Sequence, residues 1–204
     1  MTQTLVQVEN PPLVVHLRPL IHLTDDQFYE LCQINRELRI ERTAEGDLII
    51  MPPAGWETSK RNADLTTALG VWAKQDRSGV VSDSSGGFIL PNSAVRSPDA
   101  AWVRRSRLAT LTPEQKKKFI PLCPDFVIEL RSPTDRLSIL QAKMQEYIDN
   151  GAQLGWLIDP EPKQVYVYRP NSPVECLENP SEISGDPVLP GFVLDLREIW
   201  ETSF

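Results

Sequence analysis

Apolar and polar positions along the chain fall into recognisable periods. After a polar opening that holds Pro11, Pro12 and Pro19, Thr24 precedes Asp25, Asp26 and Gln27, the signature of a capping box. The pattern predicts a helix from there, with Phe28, Leu31 and Cys32 on its apolar side and an end near Asn35. Residues 38–42 and 48–51 are short apolar stretches around Glu45-Gly46-Asp47 and read as a β-hairpin. Pro52, Pro53 and Gly55 then break the chain. From about Glu57 to Gln75, Leu65, Ala68, Leu69 and Trp72 recur at i, i+3, i+4 and i+7, so one face of a long helix is core.

Residues 79–82 and 88–90 read as strands around a Ser-Gly turn, and residues 99–103 as a short strand behind Pro98. Thr112-Pro113-Glu114 opens a short basic helix, with proline at its first position. Residues 126–130 are apolar on both faces except for Glu129, as expected of a strand in the middle of a sheet. Pro133 ends it. A helix capped by Asp135 runs to about Asn150, where Gly151 supplies a left-handed C-cap. Residues 154–158 and 164–168 form two more strands joined at Asp159-Pro160, and residues 194–200 a last short helix. No internal repeat interrupts this series. It predicts an extended arm over residues 1–19 and a single domain over 20–204, with an acidic, proline-rich segment at 171–190.

A chain of 204 residues can bury a core without staples. No apolar run approaches the ~20 residues that span a bilayer, and no basic-then-apolar leader opens the sequence. The three cysteines, Cys32, Cys123 and Cys176, are odd in number and far apart, which fits a reducing, cytoplasmic setting with no membrane contact. His16 and His22 are the only histidines, and neither CxxC nor HxxxH occurs, so zinc sites of the usual kind are excluded. GxSxG, GxxxxGK[ST] and GxGxxG are missing too, which removes the serine-hydrolase, P-loop and dinucleotide fingerprints. The net charge of −7 speaks against nucleic acid, but it is unevenly placed. Nine acidic residues oppose three basic ones from Asp159 onward, whereas residues 1–158 carry 18 basic against 19 acidic. Arg104, Arg105, Arg107, Lys116, Lys117 and Lys118 surround a single acid, Glu114. They suit either a solvated face or a nucleic-acid-facing patch.

Two acids and a lysine carry the candidate chemistry. Asp99 stands at the entrance of one short strand, and Glu129 lies inside another that is otherwise apolar. An ionised carboxylate there costs several kcal/mol unless it is paired or bound to metal. A salt bridge to Arg131 is one solution, and a metal is another. On the next helix, Leu137, Leu140, Met144, Tyr147 and Ile148 mark the inward stripe. Lys143 is three residues after Leu140 and four before Tyr147, so it flanks that stripe, either snorkelling along its edge or facing the acids. Two carboxylates suit a hard divalent cation such as Mg²⁺. The cation would acidify water beside a phosphate while an ammonium orients it.

The chain resembles the bacterial Uma2 family of restriction-endonuclease-like proteins, within the PD-(D/E)xK nuclease superfamily. The matching stretches are Leu38-Arg39-Ile40-Glu41 through Met51-Pro52-Pro53, then Gly79 to Ser85, Arg96-Ser97-Pro98-Asp99-Ala100-Ala101-Trp102-Val103, and Pro124 to Pro133. Lys143 to Tyr147 and Gly155-Trp156-Leu157-Ile158-Asp159-Pro160 complete the ordered series. The resemblance implies an α/β, restriction-endonuclease-like fold, a mixed central sheet flanked by helices. It also implies a Mg²⁺-dependent endonuclease acting on DNA, with Mn²⁺ as a substitute. The other reading is a weak or inactive DNA-binding or assembly protein on the same fold. Asp99 would be the PD aspartate and Glu129 the second metal ligand. The superfamily's usual lysine, two residues after that acid, is replaced by Arg131. Lys143 would take over its role from the following helix, leaving Arg131 for phosphate or Glu129 contact. Asn62, Tyr147 and Asp135 also fall on family-like positions. Cutting both strands of a duplex calls for two copies, so a homodimer is expected, with the arm and the 38–51 hairpin as interface elements.

Overall fold

The computed structural model describes residues 12–201 of the chain. Most of the expected N-terminal arm, residues 1–11, lies outside them. In chain order the elements are β1 (Leu13–Val15), α1 (Asp25–Ile34), β2 (Arg39–Arg42), β3 (Leu48–Met51), α2 (Trp56–Asp76), β4 (Gly79–Asp83), β5 (Phe88–Ile89) and β6 (Val95–Arg96). There follow β7 (Ala100–Arg104), α3 (Arg105–Leu108), β8 (Phe126–Leu130), α4 (Leu137–Asp149), β9 (Leu154–Asp159), β10 (Gln164–Tyr168), β11 (Glu175–Glu178), β12 (Glu182–Ser184), β13 (Val193–Asp195) and α5 (Arg197–Trp200).

The strands form three sheets. The larger has the order β11-β10-β9-β8-β7-β4, a second has β1-β3-β2-β6-β5, and β12 pairs with β13. In the large sheet only β8 and β9 run parallel, and α4 is the crossover that parallel neighbours require. β8 is central and buried along its whole length. Its two faces serve two cores. Phe126, Ile128 and Leu130 pack with Leu65 and Leu69 of α2 and with Trp102, Trp156 and Phe192. Val127 faces Met144 and Tyr147 of α4, with Ala101, Val103 and Leu157. A third, smaller core joins Phe28 of α1 to Ile40, Leu48 and Val95 of the second sheet.

Locally encoded elements match the expectation. The Thr24 hydroxyl accepts from the Gln27 amide and the Gln27 side chain accepts from the Thr24 amide, closing the capping box of α1. Arg42 lies opposite Leu48 in the hairpin, and Leu65 and Leu69 are fully buried on α2. Non-local pairing differs. The stretches at 79–82 and 88–90 do not pair with each other: β4 joins β7 in the large sheet, while β5 joins β6 in the second. The helix expected after Thr112 is one 3₁₀ turn, Gln115–Lys117. Asp135 does not cap α4. Its carboxylate is taken by the Ser132 amide and hydroxyl, closing the 132–135 turn, and the cap position is Arg136. The acidic, proline-rich segment at 171–190, for which no element was expected, supplies β11 and β12, and β11 extends the large sheet alongside β10.

Candidate active site

The antiparallel register of β7 and β8 sets Ala100 opposite Ile128 and Ala101 opposite Val127. One step further brings Asp99 to the level of Glu129. Asp99 is fixed from two sides. Its Oδ2 accepts the Leu130 backbone N–H at 2.9 Å, and its Oδ1 accepts from Asn62 Nδ2 at 3.1 Å, across from α2. Glu129 alternates with Ile128 and so points with Val127 toward α4. There it meets the Lys143 ammonium at 2.8 Å and accepts a hydrogen bond from the Tyr147 hydroxyl at 3.0 Å. Lys143 and Tyr147 are one helical turn apart and reach the same carboxylate oxygen, Oε1.

A third carboxylate closes the group. On β2, Ile40 turns into the small core and its neighbour Glu41 turns the other way, 2% exposed. Glu41 Oε1 lies 2.9 Å from Lys143 Nζ and accepts the Ser97 amide at 2.9 Å. Its Oε2 takes Arg96 Nη1 at 3.1 Å, and Arg96 Nε reaches Glu146 of α4 at 2.6 Å.

Burial dominates the electrostatics. It raises the Asp99 carboxyl above the usual range despite the Leu130 amide. It also pushes Glu129 up to about 7, with Asp99 and Glu41 adding to the rise and Lys143 opposing it. Burial works the same way on Glu41, but Lys143 and Arg96 overcome it and hold that carboxyl below its ordinary value. For Lys143 burial is unfavourable to the charge, yet Glu129 and Glu41 outweigh it and keep the ammonium more strongly protonated than an ordinary lysine. Glu41, Glu129, Asp99 and Glu146 thus face Lys143 and Arg96, with Arg39 adding a positive charge felt at Asp99. When all four carboxylates are ionised they outnumber the three cations by one.

That excess suits a cation. Among the described residues no group of three His, Cys, Asp or Glu side chains surrounds a metal position. The pair Asp99 and Glu129 remains, and Mg²⁺ is commonly held by one or two carboxylates with water completing its shell. Asn62 Oδ1 is buried beside them with no hydrogen-bond partner, an oxygen ready to accept from a cation's water. The donor set therefore fits a hard divalent ion.

The other expected residues part company. Tyr147 and Asn62 sit in the group. Arg131 does not: its guanidinium reaches Asp159 at 2.7 Å and the Asp135 carbonyl at 3.1 Å. The parallel register places Leu130 opposite Ile158, so Arg131 falls beside Asp159, a buried acid on the neighbouring strand. Asp135 is held in its own turn. Arg104 and Arg107 lie at the end of β7 remote from Asp99 and are paired with Asp125, while Lys118 is paired with Asp26.

A family model named Uma2 and described as "Putative restriction endonuclease" matches residues 25–197. The chain belongs to the Uma2 family. Among solved structures it is similar to a putative nuclease belonging to DUF820 from Anabaena variabilis ATCC 29413, with a TM-score of 0.72. The two chains are 21% identical, and the match covers 88% of this chain and 98% of that one. This likeness bears out the expected α/β architecture of mixed sheet and flanking helices. No curated protein matches. Within this Uma2 chain, Glu41 is the site residue that reading the sequence missed. Its signals were a place in the family-like stretch Leu38-Arg39-Ile40-Glu41 and a carboxylate next to Ile40 in a short apolar strand, the latter a pattern shared by any half-exposed hairpin.

Proposed function

We propose that this Uma2 chain is a divalent-metal-dependent endonuclease that hydrolyses DNA phosphodiester bonds. The observation that carries the reading is the grouping of Asp99, Glu129 and Lys143 where the interior strands β7 and β8 face α4, with Lys143 2.8 Å from Glu129. Asp99 and Glu129 would hold Mg²⁺, or Mn²⁺ in its place, through oxygen. The bound cation would supply Lewis acidity, easing deprotonation of water and offsetting charge on the phosphate oxygens. The chain's own residues do the rest. Asn62 and the Leu130 amide orient Asp99, and the Tyr147 hydroxyl orients Glu129. Lys143, held as an ammonium by two carboxylates, donates hydrogen bonds and so positions water or stabilises phosphate charge, which suits it better than accepting a proton. In the overall step a water oxygen bonds to phosphorus, one ester P–O bond breaks, and a proton reaches the leaving alkoxide.

A two-fold dimer would present two such sites to the two strands. The hairpin is an unsuitable interface, because β3 and β2 are flanked by β1 and β6. The edge strand β1, with Leu13 and Val14 exposed, is the better surface for a second copy. Light scattering at micromolar concentration should return twice the chain mass, and a monomer mass would remove the dimer from the proposal.

Supercoiled plasmid incubated with the purified protein tests the main reading. Nicked and linear forms should accumulate with Mg²⁺ or Mn²⁺ and not with a chelator. Intact plasmid under every metal, with a salt-sensitive gel shift retained, would favour the non-catalytic DNA-binding alternative.

A further inference from the structure

We propose that Glu41 is a positioning residue for Lys143: it retains the ammonium in the site when a divalent cation takes Glu129. The inference rests on the metal-dependent reading above. A cation on Glu129 competes with Lys143 for the same carboxylate, since the ammonium lies 2.8 Å from Glu129 Oε1. A lysine with that single partner would lose its anchor on metal binding, and its four-carbon stem would let the ammonium drift. Here a second anchor lies 2.9 Å away, on Glu41 Oε1.

Glu41 is built for that task. Its Oε1 also receives the Ser97 amide, and its Oε2 receives Arg96, so both oxygens are held in place from the protein side. Arg96 is in turn held by Glu146, three residues after Lys143 on the same face of α4. The four side chains alternate in sign: Lys143 with Glu41, Glu41 with Arg96, and Arg96 with Glu146. The clamp comes from a different sheet from Glu129, so the ammonium stays referenced to β2 whatever happens at β8. The small sheet thereby becomes part of the site.

Three proteins are compared: wild type, Glu41→Gln and Glu41→Asp. Mn²⁺ binding is measured by calorimetry without DNA, cleavage at saturating Mg²⁺, and folding by thermal melting. In Glu41→Gln the ammonium has Glu129 as its sole carboxylate, so a cation that draws on Glu129 leaves Lys143 with no second anionic anchor. Mn²⁺ affinity and kcat should each fall roughly 10–100-fold, as for other residues that orient a metal site from behind, with KM for DNA unchanged. Glu41→Asp keeps the charge but withdraws it, and should fall between the two; it also serves if Glu41→Gln does not fold. In a Lys143→Met background, adding Glu41→Gln should change neither quantity further. Unchanged affinity and kcat with a lowered melting temperature would make Glu41 a structural residue and overturn the proposal. Complete loss of Mn²⁺ binding would make it a ligand and also overturn it. Wild type that neither binds Mn²⁺ nor cuts would instead sink the metal-dependent reading, and this inference with it.

Discussion

Lys143 and Glu129 meet at 2.8 Å, one from the inward face of α4 and the other from the middle of β8. The contact joins the crossover helix to the strand it follows, and in the proposed reaction its positive charge would stand near the phosphate. Lys143→Ala should therefore lower turnover on the order of 10²–10⁴-fold while Mn²⁺ still binds, since Glu129 loses a competitor. Single-turnover cleavage and calorimetry separate the two effects. Normal cleavage by this variant would remove Lys143 from the mechanism.

Asp99→Ala and Glu129→Ala should each abolish plasmid cleavage and the heat of Mn²⁺ binding, with circular dichroism like that of wild type. Neither acid belongs to the apolar clusters that hold the large sheet together. Wild-type cutting by either variant would refute the ligand assignment.

The raised pKa of Glu129, about 7 against an ordinary 4.5, has a consequence for stability. Between those values the folded chain binds a proton that the unfolded chain has released, so this group lowers stability as pH rises from 4.5 to 7. Glu129→Gln removes that penalty. At pH 8 without metal it should raise the unfolding free energy by up to about 3 kcal/mol, and the gain should vanish near pH 4.5. Urea melts at both pH values provide the measurement. A variant equally stabilised at both would show that the gain does not come from the carboxylate's charge.

Arg131 has a different part. It is the hydrogen-bonded partner of Asp159, which is 2% exposed. Arg131→Ala strands that carboxylate and should cost about 3 kcal/mol, the low end for a broken buried pair because Arg131 is partly exposed. Arg131→Lys can still reach Asp159 and should cost less, with cleavage retained. Loss of cleavage by Arg131→Ala without loss of stability, alongside normal cutting by Lys143→Ala, would make Arg131 the working cation.

Gly79 of β4 lies against the indole of Trp102, where an added Cβ would stand 2.2 Å from the ring. Trp102 is buried and cannot retreat. Gly79→Ala should destabilise by about 1–3 kcal/mol through displaced packing, read as a lowered urea midpoint.

What the chain carried in local form was legible. The capping box of α1, the 38–51 hairpin, the apolar stripe of α2, the buried run of β8 and the β9–β10 hairpin each arise from neighbours within a few residues, whose spacing reports their period. Asp99, Glu129 and Lys143 stood out because a charge beside or inside an apolar run needs a partner. Partners beyond that group were not legible. Glu41 reaches Lys143 across 102 residues and Arg131 reaches Asp159 across 28, and β4 and β5 went to different sheets. Nothing in a short window distinguishes a buried Glu41 from a solvated one. Its burial follows from the second sheet closing over α4, and Arg131's diversion follows from the parallel register of β8 and β9. Sequence spacing sets which side chains share a face, because backbone period is local; which faces meet is settled by long-range packing of apolar surface, and only that packing brought four carboxylates and their cations into one site.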